Sequence, residues 1–486
     1  MMFRVFHPAR SSNRMSISKG FVSSLALAVA TIGGAAVGLA GIAAPAHAQS
    51  DAPQYSKKFA KAAQPVSEQL NAARSNPAIA ADLNNLVAAS KKLAAAKTAT
   101  DIAAAEAEYQ QVGKVLQGKT TAERAALEAL AGQAQSADEK YMVGEFQVFL
   151  GSFTGNVDLS AQGIKTKIAS GALKPEKVAP SWFELGQLYF DHNRYADAQT
   201  AFESAYQAGE TNGAVYAAEC FFRANRVAEG LDYLRKVIDA RIAAGQEVPL
   251  AWAGSGLNHS LELRDTARVA SWGGLYAKLG KTPQSWQAGI AQLMRSHEFE
   301  LQEKLDLYRL MSRTGSLLNA ADFVGYIDAA DPRSLPNEVV PVINDGIKRG
   351  LLAANAASAP AGMSDQLISF TQKAQELANS RAEAERKSAA TIAADAQKDP
   401  KGETARDAGE VYQSFGASAD AERLFQLALT KGGVDNNRVL MRLAIAQADQ
   451  GKFADARATF AKVSGSRAPI ATLWLAWLDT KAAPAG

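Results

Sequence analysis

The strongest constraint on this 486-residue chain is that it repeats itself. Trp182, Leu185, Gly186 and Tyr189 are followed by Tyr195, Ala198, Phe202 and Ala205 at helical spacings. In the next block Ala218, Phe221, Gly230, Leu234 and Val237 stand where Gly186, Tyr189, Ala198, Phe202 and Ala205 stood. Near the C-terminus Ala408, Gly409, Tyr412, Gly416, Ala421, Phe425 and Ala428 renew the scheme. Leu443, Ala444, Gly451, Phe453, Ala456, Phe460 and Val463 then follow it, 35 residues on from Gly409 to Ala444. Self-similarity at a period of roughly 20–50 residues means stacked supersecondary units. A pair of packed helices explains the residue types: a small residue where the helices cross lets them approach, and an aromatic fills the groove so made. One such pair cannot bury its apolar stripe, so neighbours must stack.

The order Trp-x2-Leu-Gly-x2-Tyr, then Ala-x3-Phe, is the tetratricopeptide (TPR) signature. Residues 179–240 and 402–465 read as TPR-type pairs. Elsewhere apolar residues recur at spacings of three and four, with no sustained alternation of the kind a strand needs. The expected fold is therefore all-α, an α-solenoid of stacked TPR-like helical hairpins. A 47% hydrophobic, 21% charged composition fits a folded chain and excludes a disordered one. The expected organisation is a secretory signal over 1–48, an Ala-rich helical segment over 49–135 and TPR-like repeats over 136–261. Degenerate helical repeats follow over 262–354, with helices at 265–279, 283–295, 300–313, 319–329 and 337–351. A linker and helix occupy 355–401, and C-terminal TPR-like repeats fill 402–486. In the tail, Leu473, Trp474, Leu475, Trp477 and Leu478 make 470–480 apolar nearly all round, which suits a capping helix or an interface.

The first 48 residues read as an address. Arg4, Arg10, Arg14 and Lys19 precede an uncharged apolar run over 21–44, then Pro45 and the small-x-small triplet Ala46-His47-Ala48. Basic, apolar and cleavable parts in that order form an export signal, which places the mature chain in the periplasm. The apolar run exceeds the roughly 7–15 residues usual for a signal core, so an uncleaved inner-membrane anchor is the rival reading. The chain's formal charge of +3 is not a nucleic-acid footprint. Four basic residues and no acidic one lie in 1–48, which leaves the remainder at −1.

Several stretches resemble a family of secreted TPR-like proteins of Gram-negative bacteria. They are Lys431-Gly432-Gly433-Val434-Asp435, the run 454–463 from Ala454 to Val463, the run 335–346 from Leu335 to Gly346, and the Trp-containing tail. The resemblance implies an envelope α-solenoid with no assigned reaction. TPR domains in general are protein-binding scaffolds, an analogy of fold.

The chain offers little for catalysis. A single cysteine, Cys220, excludes an intrachain disulfide and a cysteine-based zinc site, and beside Phe221 and Phe222 it reads as a packed small residue. His297-Glu298-Phe299-Glu300-Leu301 lacks the second histidine of a zinc-protease helix. Glu298, Glu300 and Glu303 read as a solvated helix face. Leu279-Gly280-Lys281-Thr282 lacks a P-loop's first glycine, since Leu275 holds that place, and Gly254-Ser255-Gly256 lacks the third glycine of a dinucleotide fingerprint. No cofactor, metal or catalytic residue is expected.

What remains is a surface. The first helix of a TPR hairpin lines the concave side. Its non-packing positions here are Phe183, Gln187, Phe190 and Asp191, then Val215, Glu219, Phe222 and Arg223. Exposed, Phe183, Phe190 and Phe222 would form a groove for an apolar or helical peptide; covered by the adjoining hairpin, they are core. The first expectation is thus a non-enzymatic periplasmic scaffold binding an envelope protein or peptide, with no nucleic acid and no membrane unless the signal segment stays attached. The alternatives are a subunit or accessory domain of a cell-wall-cleaving enzyme, and a membrane-tethered assembly factor.

Overall fold

The structure, a computed structural model, describes residues 53–481. The expected signal over 1–48 lies outside them. Twenty-two α-helices and four short 3-10 turns make up the described residues, with no strand among them. The fold is an all-α solenoid of stacked helical hairpins. It divides into two compact units at 226/227.

The N-terminal unit holds α1 (Lys57–Arg74), α2 (Ala80–Ala95), α3 (Ala99–Lys119), α4 (Thr121–Ala131) and α5 (Ala137–Phe153). After them come α6 (Val157–Ala169), α7 (Pro175–Asp191), α8 (Tyr195–Gln207) and α9 (Gly213–Arg223). Consecutive helices pack as pairs, most closely α5 with α6 and α7 with α8. The Ala-rich helices form no separate arm: Phe59, Leu70, Leu86, Tyr109, Leu116 and Leu127 share one core with Val143, Leu150 and Phe153 of α5. One carboxylate ties the start of α1 to the start of α5. Glu139 accepts hydrogen bonds from the Ser56 amide (2.9 Å), the Ser56 hydroxyl (2.7 Å) and the amides of Gln135 (2.7 Å) and Ser136 (3.1 Å). Two helix N-termini thereby have their otherwise unpaired amides satisfied by one side chain.

The C-terminal unit begins with α10 (Val227–Ala243), α11 (Leu250–Ser260), α12 (Thr266–Gly280) and α13 (Pro283–Ser296). It continues through α14 (Leu301–Arg313), α15 (Ala320–Ala330), α16 (Pro336–Lys348) and the 34-residue α17 (Asp365–Lys398). It ends with α18 (Glu403–Ser414), α19 (Ser418–Lys431), α20 (Asn436–Asp449), α21 (Phe453–Phe460) and α22 (Ala468–Asp479).

The repeat register is visible as geometry. A methyl group added at Gly186 would lie 2.5 Å from the Phe202 ring, and one at Gly409 would lie 2.6 Å from the Phe425 ring. Both hairpins thus cross through a glycine seated on an aromatic, as the sequence pattern requires. The turns agree as well. Asn193 and Asn225 (φ 59°), Gly416 (φ 81°) and Gly451 (φ 76°) hold equivalent left-handed positions. Just past each, an amide bonds back to the carbonyl five residues earlier: Arg194 to Tyr189, Arg226 to Phe221, Ala417 to Tyr412 and Lys452 to Gln447. This is the Schellman helix end, which glycine and asparagine tolerate best.

The tail does more than cover the last hairpin. Trp474 is fully buried, stacks on Phe460 with centroids 5.6 Å apart, and donates its indole N–H to the Asp306 carbonyl at 3.0 Å. Helix α22 packs on α12 and α14 as well as on α21, and Lys278 pairs with Asp479 at 2.9 Å. Within the C-terminal unit the solenoid therefore folds its end back onto its middle. An array of nearest-neighbour repeats alone would not do this.

Candidate functional site

The residues expected to line a groove in the N-terminal unit fall into two groups. The rings are largely engaged with other rings. Phe183 packs on Phe202 at 5.1 Å and edge-on to Tyr216 at 5.0 Å, while Phe190 meets Tyr195 at 5.5 Å and Phe202 at 6.3 Å. Phe183 and Phe190 stay half-buried, but Phe222, named as a binding residue with a covered core position as the alternative, is buried at 8% exposure. That expectation is corrected: the face carrying Phe222 is a packing face, and Phe183 and Phe190 form the outer layer of an aromatic core built on Phe202. Sequence reasoning missed Tyr216, one helix further on, which supplies the covering ring.

The polar members stay accessible. Gln187 is half-buried, as is the apolar Val215, Glu219 accepts from Arg223 Nε at 2.7 Å, and the Arg223 guanidinium lies 5.9 Å from the Phe190 ring centre. Asp191 is exposed to water, yet neighbouring protein partly desolvates its carboxyl. That desolvation, only partly offset by His192, pushes its carboxyl up to about 6. His192 packs its ring 4.7 Å from Tyr109 and sits 3.2 Å from Glu106 of α3, a structural placement. Cys220 is buried, and burial next to Glu219 and Glu203 pushes its thiol well above the ordinary range, which makes it an unreactive packing residue.

The C-terminal unit holds a site that sequence reasoning did not find. Three arginines and three carboxylates are buried together: Arg309, Arg442 and Arg467 with Asp306, Glu338 and Glu410, none above 9% exposure. Arg309 donates Nε and Nη2 to the two oxygens of Glu338 at 2.7 and 2.6 Å, and the Tyr326 hydroxyl donates to the same carboxylate at 3.0 Å. Asp306 accepts from Arg442 Nε at 2.8 Å and Arg467 Nη1 at 2.5 Å. Glu410 takes both prongs of Arg438 at 2.8 and 2.7 Å and lies 3.0 Å from Arg442 Nη1. Burial opposes ionisation of Glu338 and Glu410, but the arginines outweigh it and hold both below the usual carboxylate range. Burial and the neighbouring Arg309 charge lower Arg442.

Charged helix residues were expected on solvated faces, and Glu303 departs from that too. It is buried at 5%, bonds the Glu300 amide at 3.0 Å and accepts from the Ser466 hydroxyl. A signal was present in the chain, since Arg442 stands inside the run Val439-Leu440-Met441-Arg442-Leu443-Ala444-Ile445. A charge with apolar neighbours on every side has to find a buried partner.

Above this network opens a cleft of about 990 Å³. Its walls come from α14, α15, α16, α17, α18 and α20, including Arg309, Tyr326, Asn337, Glu338, Arg386 and Phe415. The ion pairs fix its floor. Because Arg309 and Glu338 are tied to each other, neither is poised to move a proton, and the arrangement suits holding a ligand by hydrogen bonds and stacking. Among the described residues no group of His, Cys, Asp and Glu could hold a metal ion, and no helix is long and apolar enough to cross a membrane.

No protein-family model matches the chain, and no curated protein matches it. Among solved structures it is similar to Naa15/Naa10 bound to HypK-THB, at 12% identity over 87% of this chain and 73% of that one, with a TM-score of 0.28. A likeness that distant carries no argument, and the class of the protein, an α-helical hairpin solenoid, stands on its own helices.

Proposed function

We propose that the protein is a non-enzymatic, exported TPR-type scaffold of the secreted Gram-negative kind, acting in the periplasm and binding an envelope protein or peptide. The observation that carries this reading is the cleft of the C-terminal unit, walled by side chains from six helices, with the paired charges Arg309–Glu338 and Arg313–Asp449 in its lining. A preformed surface of that sort lowers the ordering cost of binding. Export is supported by the signal architecture of 1–48.

Two measurements test the reading. Sequencing the N-terminus of the protein isolated from cells should give a chain starting at Gln49; an intact N-terminus would favour the tethered form. In-cell crosslinking of the mature protein should capture a specific envelope partner, and the absence of any would sink the scaffold reading.

A further inference from the structure

The cleft of the C-terminal unit mixes apolar and polar walls: Phe415 and Val340 are half-buried, while Pro341, Ser312 and Asn379 are exposed. Its charges are matched almost pair by pair. Arg309 holds Glu338, and Arg313 donates Nε and Nη2 to Asp449 at 2.6 and 2.5 Å. Glu383 pairs with Lys387 at 2.5 Å, and Asp345 with Arg349 at 3.4 Å. Arg386 is the exception. Among the described residues no carboxylate forms an ion pair with it, yet it is not loose. Its Nε donates to Asn337 Oδ1 at 2.6 Å, and its guanidinium carbon lies 5.6 Å from the Phe415 ring centre. Asn337 is itself buried and fixed, donating Nδ2 to the Ala382 carbonyl at 2.8 Å and to Glu385 at 2.5 Å. One nitrogen and one face of the guanidinium are thus held by the protein, while neither Nη group donates to any described protein atom.

A guanidinium held in this way is prepared for a carboxylate: the orienting entropy is already lost, and charge-assisted bidentate bonds are the strong ones. We propose that the cleft takes an acidic segment of a partner peptide, with an Asp or Glu side chain on the Nη groups of Arg386 and the neighbouring apolar side chain against Phe415 and Val340. Asn379 of α17 and Ser312 of α14 also line the cleft and can pair with the peptide backbone. This rests on the scaffold reading and gives its partner a chemistry.

The test uses the full mature protein and fluorescent octapeptide pools with amidated C-termini, random and apolar-rich except for a central Glu in one pool and Gln in the other. The Glu pool should bind at least tenfold tighter than the Gln pool. Arg386→Ala should erase that preference. Arg386→Lys keeps the charge but neither the Asn337 bond nor the planar fork, and should keep less than a tenth of the preference. Phe415→Ala should weaken both pools. Arg386→Ala takes the donor from the buried Asn337 Oδ1 and should melt below the wild type, so binding is compared at a temperature where every variant is folded. Equal binding of the two pools, or an undiminished Glu preference in Arg386→Ala, overturns the proposal. A partner crosslinked equally by wild type and Arg386→Ala would overturn this site while leaving the scaffold reading intact.

Discussion

Replacing Asp306 with asparagine keeps the side chain's volume and removes its charge from the centre of the buried network. Arg442, fully buried, and Arg467, 4% exposed, each lose a carboxylate partner, as does Arg309 at 3.5 Å. Removing one partner of a buried pair typically costs about 3–5 kcal/mol, because the charge left behind stays desolvated. Here Arg442 retains Glu410 at 3.0 Å, and Arg467 retains the Gln302 carbonyl at 3.3 Å, so the lower end, about 3 kcal/mol, is expected. The second half of the argument is an asymmetry. A variant carrying Asp306→Leu, Arg442→Met and Arg467→Met together removes the charges with their desolvation cost, and should be markedly more stable than Asp306→Asn alone. Urea unfolding followed by tryptophan fluorescence reads the total, and hydrogen exchange over 301–313 and 436–449 localises it. Asp306→Asn within about 0.5 kcal/mol of wild type, or a triple variant as unstable as the single one, would refute the reasoning.

Gly186→Ala should cost about 1–3 kcal/mol in thermal or urea melts, since its new methyl meets the Phe202 ring at 2.5 Å and the ring has no room to withdraw. Phe202→Ala should cost about 3–5 kcal/mol, because a fully buried ring that supports Phe183, Phe190 and Tyr216 leaves a cavity. Glu139 is covered to 1% exposure, though only by a thin layer at the surface; burial opposes its ionisation, and hydrogen bonds led by the Ser56 hydroxyl outweigh that and pull its carboxyl from 4.5 down to about 2. A depressed acid stabilises above its unfolded value and loses that contribution as pH falls toward 2; the shift alone gives about 3 kcal/mol, which screening near the surface reduces to about 1–2 kcal/mol. Glu139→Gln should therefore destabilise at pH 7 and lose its effect toward pH 2 in a pH series of melts. Asp191 has the opposite sign, its carboxyl raised from 3.8 to about 6, so the folded state binds the extra proton and stability falls as pH rises through that window. Asp191→Asn should flatten that slope and raise the melting temperature at pH 7; a lower melting temperature would show that the carboxylate has a favourable partner.

The hairpin register was legible because its determinants are local and recur. Gly186 with Phe202 and Gly409 with Phe425 lie sixteen residues apart in each hairpin, and a turn residue between them fixes the geometry. Helix limits in the middle of the chain were legible for the same reason: Pro283 and Pro336 start helices, and Asn319 caps one with Asp322 closing the box. The faces of those helices were harder to assign. Phe222 stands on the expected concave side and is nonetheless buried, because the helix's own sequence does not say which of its rings neighbouring elements cover.

The candidate site was hidden for a deeper reason, which is contact distance along the chain. Arg442 meets Asp306 across 136 positions and Arg467 meets it across 161, so neither pair has a spacing that periodicity can report. Both contacts depend on the tail: helix α22 lies on α12 and α14, and that return brings α20 against α14 instead of leaving it at a free solenoid end. The buried charges then have a role that stability alone does not explain. An apolar seam would let α14 and α20 slide past one another, whereas the pairs that cross it, the two-pronged Arg313 on Asp449 and Arg442 on Asp306, fix one register. The cleft opens on that seam, where Arg313 and Asp449 line it. The charges that lock the closure therefore also set the shape presented to a ligand, and Arg386, held by Asn337, is the charge left over for the ligand to meet.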